Sequence, residues 1–219
     1  MLNGRGAERA LAAGLDHLQY VVSVSDTHSR HNAGTGTDDA MAEFSVVAER
    51  ARAAGAAVEM TLATAMGCPF EDRIDAERVV DLARRAVDAG ASSIALADTI
   101  GVAAPTEVAR LLDRVVPVVD VAVGVHLHDT RGMAIANAVA ALQHGARRLD
   151  ASVGGLGGCP FAPNASGNVP IEDLAHALAA MGVATGVSVE LLVVAAETAC
   201  GAVGRDVASH VGVAGPRFA

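Results

Sequence analysis

Five short apolar runs, each followed by a stretch with helical periodicity, constrain this chain more than any other feature of its 219 residues. The runs cover 17–25 (HLQYVVSVS), 57–65 (AVEMTLATA), 92–98 (SSIALAD), 121–128 (VAVGVHLH) and 147–153 (RRLDASV). They are short, mostly apolar and not strictly alternating, a pattern that suits parallel strands covered on both faces. Helices are predicted over 6–13, 37–54, 75–89, 105–115, 132–144, 171–181 and 189–203. The stretch 37–54 opens on Thr37-Asp38-Asp39, a capping residue followed by acids at the positive end of the helix dipole. In 75–89 the apolar positions Val79, Val80, Leu82, Ala83, Ala86 and Val87 form one stripe, and Gly90 stops the helix.

Strand–helix units repeating every ~25–35 residues favour a right-handed βα succession. No G-x-G-x-x-G follows a strand with an acid placed downstream, so a dinucleotide-binding sheet is not supported. The remaining α/β choice is the (β/α)8 TIM barrel, whose chemistry sits at the C-terminal ends of its strands. The polar residues lie there: Ser25-Asp26, Asp98-Thr99, His126 and His128, and the segment from Gly154 onward. A full barrel has eight strands and about 250 residues. The chain is therefore expected to be an incomplete TIM barrel: one domain over 1–219, the C-terminal portion of a barrel, with about five of eight βα units and the first strands missing. Two open sheet edges and exposed apolar faces would then favour association, a homo-oligomer such as a dimer.

Composition narrows the function classes. Hydrophobic residues make up 52% and aromatics 2%, so the core must be built from Ala, Val and Leu. A net charge of −9 lacks the basic footprint of a nucleic-acid binder but leaves room for a small anionic substrate. No apolar run approaches the ~18 residues of a membrane span, and the first residues lack the layout of a signal peptide. Three cysteines, Cys68, Cys159 and Cys200, argue against a disulfide framework and for a reducing cytoplasm.

Three places carry chemistry. In His126-Leu127-His128-Asp129, residues two apart on a strand project both imidazoles to one face, which is half of a metal site at a barrel mouth. The bland alternative is a pair of core histidines bonded to backbone. The loop 154–168, GGLGGCPFAPNASGN, has glycines that leave room for a ligand, including Gly157 and Gly158, and holds Cys159 at its centre. Asn168 closes that loop before a helix, as an N-cap or as an oxygen ligand for a hard metal; from spacing alone the cap is the simpler reading. Asp98, at the end of an apolar strand, can bond a substrate or shape a turn. Cys68 before Pro69 reads as part of a tight turn.

Taken together, SVSDTHSRHNAG, TAMGCPFED, ALADTIGV, VHLHDTRG and GGLGGCPFAPNASGN, in this order, resemble 3-hydroxy-3-methylglutaryl-CoA lyase over about residues 3 to 200. The GLGGCP loop is the most specific of them. The resemblance implies that His126, His128 and Asn168 ligate a divalent cation, Mg²⁺ or Mn²⁺. It implies a proton-transferring role for Cys159, a place beside substrate for Asp98 and Thr99, and an acyl-CoA lined by Ser25, Asn32, Gly157 and Gly158. The implied reaction is a retro-Claisen cleavage to acetyl-CoA. The family also opens with an Arg-Asp-Gly strand and a second-strand Glu that this sequence does not contain. A partial gene model, a non-catalytic remnant, and a relative acting on another branched 3-hydroxyacyl-CoA all fit that departure.

Overall fold

The computed structural model describes residues 1–158 and 167–216. Five strands, β1 (His17–Ser23), β2 (Ala57–Ala63), β3 (Ser93–Asp98), β4 (Ala122–Leu127) and β5 (Arg148–Asp150), form one sheet in chain order. Every neighbouring pair is parallel. Doubly wound sheets reverse their order at a switch point. This one never does, so successive right-handed crossovers stack their helices on the same face, as in the wall of a barrel. Among the described residues β1 and β5 each pair with a single strand, leaving an open sheet of five βα units. The outer edge of β1 carries two bonds from the chain start: the Met1 ammonium donates to the Gln19 carbonyl at 2.8 Å, and the Val21 N–H donates to the Met1 carbonyl at 2.9 Å.

The helices are α1 (Gly4–Ala12), α2 (Asp26–Ala33), α3 (Thr37–Ala53), α4 (Ala76–Asp88), α5 (Pro105–Val115), α6 (Ala134–Gln143), α7 (Ile171–Ala180), α8 (Val189–Ala202) and α9 (His210–Ala214). Seven of them fall where periodicity put them, within a few residues. α2 and α9 do not. The segment of α2, DTHSRHNA, has no apolar stripe, so nothing in its periodicity announces a helix. Its ends do: Ser25 accepts from the His28 N–H as N-cap, and Gly34 stops it in the left-handed region at φ 74°.

Register separates the two sheet faces. One carries Leu18, Tyr20, Val22, Val58, Met60, Leu62, Ile94, Leu96, Val123, Val125 and Leu127, all in the hydrophobic core against the helices. The other carries three rows. They read Ser23–Ala63–Ala97–His126–Asp150, Val21–Thr61–Ala95–Gly124–Arg148, and Gln19–Glu59–Ser93–Ala122. None of these residues belongs to the core cluster. The strands are thus not covered alike on both faces, as their apolar look suggested. Small residues on the inward face (alanines and Gly124) had disguised an alternation between core and a polar hollow.

Candidate functional site

The C-terminal ends of the strands open onto a cavity of about 360 Å³ lined by Gln19, Val21, His28, Asn32, Thr61, Ala63, Ala97, Thr99, His126, His128, Gly157, Gly158 and Asn168. Ala63 and Ala97 stand in the row that ends on His126, and their methyl groups leave the hollow open.

His126 and His128 point the same way, their ring centroids 5.2 Å apart. The Nδ1–H of His128 donates to the Asp98 carbonyl at 2.9 Å, which leaves Nε2 as the ring's lone-pair nitrogen. Burial, the largest influence on this imidazole, holds its pKa below the ordinary histidine value, so the neutral, ligating form prevails. The Nδ1 of His126 faces Asp150 Oδ2 at 3.4 Å.

Asn168 is brought to the same place by an isolated bridge with His128. Its Nδ2 donates to the Leu156 carbonyl at 3.0 Å, which turns Oδ1 the other way. That oxygen is buried and has no partner among the described residues. A buried acceptor without a partner is costly. Two imidazole nitrogens and one amide oxygen around a shared cavity are a donor set that could hold a divalent cation. Among the described residues no three His, Cys, Asp or Glu side chains cluster as a metal site, so a cation here would depend on this amide. The N-cap reading of Asn168 is overturned: Pro170 occupies that position of α7, with no side-chain cap bond.

Two glycines are required by this packing. A Cβ on Gly157 (φ +114°) would lie 2.5 Å from Asn168 Nδ2, and one on Gly101 (φ +60°) 2.8 Å from the His128 carbonyl. Thr64, at φ 58°, is in the left-handed region that a β-branched residue rarely enters. Its N–H donates to Thr99 Oγ1 at 2.7 Å, its Oγ1 accepts from the Ser25 N–H, and the strain sits beside the cavity.

A family description, HMGL-like, matches residues 2–198. The chain belongs to the HMGL-like family. It is 44% identical to the (R)-citramalyl-CoA lyase of Chloroflexus aurantiacus over 99% of its own length and 68% of that protein's. It is 39% identical to the mitochondrial hydroxymethylglutaryl-CoA lyase of Mus musculus, covering 95% of the chain and 65% of the relative. The chain thus spans about two-thirds of the length of these curated relatives. An HMG-CoA lyase from A. baumannii, solved in complex with coenzyme A and 3-methylmalate, superposes with a TM-score of 0.93 at 36% identity, covering 99% of the chain and 71% of that structure. The carboxyl transferase domain of Rhizobium etli pyruvate carboxylase shares the fold alone, at a TM-score of 0.65 and 18% identity.

Within this HMGL-like chain, Asn32, Thr99, Gly157, Gly158, His126, His128 and Asn168 all reach the cavity. Asp98 and Ser25 do not line it. The Asp98 carboxylate is fully buried and accepts the N–H groups of Val102 and Ala103, each at 3.0 Å, shaping the turn after β3. Burial pushes its pKa up, against the pull of those backbone bonds. What it offers the cavity is its backbone carbonyl, which orients His128. Ser25 caps α2 and accepts from the Cys68 thiol at 3.1 Å, in keeping with a turn around Cys68, which bridges to Asp72. Cys159 lies outside the described residues.

The cavity also holds a histidine the sequence reading passed over. His28 lines it, its Nδ1 is 2.7 Å from Ser23 Oγ, and burial lowers its pKa. His28 and Asn32 are four apart on α2 and so share a helix face. That spacing was readable only once a helix was placed there.

Proposed function

We propose that this chain is a carbon–carbon lyase acting on 3-hydroxy-3-methyl acyl-CoA thioesters that carry a free carboxylate. 3-Hydroxy-3-methylglutaryl-CoA, cleaved to acetyl-CoA and acetoacetate, is the first reading. The observation that carries it is the unpartnered, buried Oδ1 of Asn168 sharing a cavity with two imidazoles of fixed orientation. His126, His128 and Asn168 would hold a divalent cation, Mg²⁺ or Mn²⁺, which when bound supplies Lewis acidity that lowers the pKa of a substrate hydroxyl.

The remaining groups belong to the chain. His28 lines the same cavity and would be the base that takes that hydroxyl proton; burial, which lowers its pKa, favours the neutral form that can accept it. Loss of the proton breaks the bond between the carbinol carbon and the methylene next to the thioester. The electron pair passes to the thioester half as an enolate, whose carbon then takes a proton to become the methyl group of acetyl-CoA. By family resemblance Cys159 is the donor of that proton. The imidazolium formed at His28 adds positive charge on the side of the cavity where the enolate develops. Asn32 and Thr99 offer hydrogen bonds to substrate oxygens, and Gly157 and Gly158 allow close approach of the thioester backbone. Ser25 acts indirectly, by holding α2 and with it His28 and Asn32.

A second reading has its own support in the 44% identity to a citramalyl-CoA lyase. Citramalyl-CoA keeps the tertiary alcohol, methyl group and thioester but is one methylene shorter, and the same cleavage gives acetyl-CoA and pyruvate. Purified chain with Mn²⁺ and each thioester, followed by mass detection of acetyl-CoA, tests both. Release from at least one is expected, and the ratio of kcat/KM values assigns the substrate. No acetyl-CoA from either contradicts the proposal.

A further inference from the structure

We propose that Asp150 is a positioning residue: it accepts the Nδ1–H of His126 and so fixes the tautomer in which Nε2 carries the lone pair. The inference rests on the reading of His126 as a cation ligand. Its ground is the arrangement of charge across the inward sheet face, which the cavity chemistry does not itself use.

Asp150 is the register partner of His126 on the neighbouring strand, and both project to the same face. Its two oxygens are divided. Oδ1 accepts from Arg148 Nε at 3.0 Å, while Oδ2 faces His126 Nδ1 at 3.4 Å, the long end of a hydrogen bond. Arg148 is itself anchored on its far side by an ion pair with Glu59. Glu59 is 6% exposed and is held by Gln19 Nε2 at 2.8 Å and Ser93 Oγ at 2.9 Å. A line of polar groups therefore crosses the sheet, Gln19–Glu59–Arg148–Asp150–His126, and each member restrains the next.

The two candidate ligands thus have Nδ1 engaged by different acceptors. His128 gives its proton to a backbone carbonyl, His126 to a carboxylate. A carboxylate behind an imidazole orients the ring and makes Nε2 a better donor to a cation. Asp150 does not line the cavity, so any effect it has passes through His126.

Histidine-¹⁵N-labelled full-length chain, free of cation, tests this by long-range ¹H–¹⁵N NMR. The wild type should show His126 protonated on Nδ1. Asp150→Ala should shift the ring toward the Nε2-protonated form and weaken Mn²⁺ binding by about ten- to a hundredfold. Asp150→Asn, which keeps an acceptor oxygen, should largely restore the tautomer. Arg148→Met serves as the structural control: it removes the links to Glu59 and to Asp150 Oδ1 but leaves Oδ2 to accept from His126, so the tautomer should be unchanged. A merely structural ion-pair cluster would lower the melting temperature of both Asp150→Ala and Arg148→Met without moving the tautomer. A wild-type His126 protonated on Nε2, or an unchanged ring in Asp150→Ala, overturns the proposal. The wild-type spectrum decides it even if that variant fails to fold. A wild type that binds no Mn²⁺ but shows the Nδ1 tautomer leaves Asp150 standing and removes the ligand reading instead.

Discussion

Gly157 has no room for a β-carbon, because Asn168 Nδ2 occupies the space 2.5 Å from where it would be. Among the described residues the amide of Asn168 is oriented by the Leu156 carbonyl alone. Gly157→Ala should therefore destabilise the chain by about 1–3 kcal/mol through its left-handed backbone. It should also displace the amide and weaken Mn²⁺ binding by about tenfold or more. Urea unfolding and a cation titration read the two effects separately; unchanged binding would mean that Asn168 is not held as described. At this scale much of the site was legible. His126 in β4 and His128 just past its end face one way because side chains of extended backbone alternate. The glycine loop announced itself by composition. What was not legible depended on direction: spacing alone did not reveal that the Asp98 carboxylate turns into its own loop, or that Asn168 leaves the N-cap position to Pro170.

Elements were legible where a periodic apolar face exists and missed where function replaces it. α4 and α5 bury continuous stripes, Val79, Val80, Leu82, Ala83 and Ala86 in one, Val108, Leu111, Leu112 and Val115 in the other. α2 buries mainly His28 and Ser29, and is held by its ends. One of those holds is Asp26, whose Oδ1 accepts the Thr37 N–H at 2.9 Å and whose Oδ2 accepts from Arg30 at 2.8 Å, tying α2 to α3. The Thr37 bond, then Arg30, keep its carboxyl below the usual carboxylate range. A depressed folded pKa contributes stability that is present above the unfolded value of about 3.9 and lost as pH falls through the folded one. Asp26→Asn should accordingly be less stable than the wild type at pH 6, with the difference fading as the pH falls below the unfolded value of about 3.9 and through the lower folded one. Thermal melts across that range check it, and a gap that persists at low pH would assign the effect to shape rather than charge.

At the scale of the whole molecule, sequential parallel order marks a barrel wall, and the barrel class was legible in the βα repeat. The polar inward face was not, since alanines at 63, 95, 97 and 122 look like core in a sequence. The described sheet has open edges at β1 and β5, and Leu191 and Val194 of α8 stand well exposed. These features predict association: sedimentation at tens of micromolar should show dimers or larger species, and a clean monomer would contradict it. No helix among the described residues is long and apolar enough to cross a membrane. Everything functional returns to three side chains carried by the β4 end and the loop before α7, and Mn²⁺ binding followed by electron paramagnetic resonance addresses them directly. The wild type should bind one ion per chain, with His128→Ala and Asn168→Ala each weakening it by about tenfold or more. A wild-type spectrum unchanged from free Mn²⁺, or variants that bind as the wild type does, would contradict the assignment of this cavity.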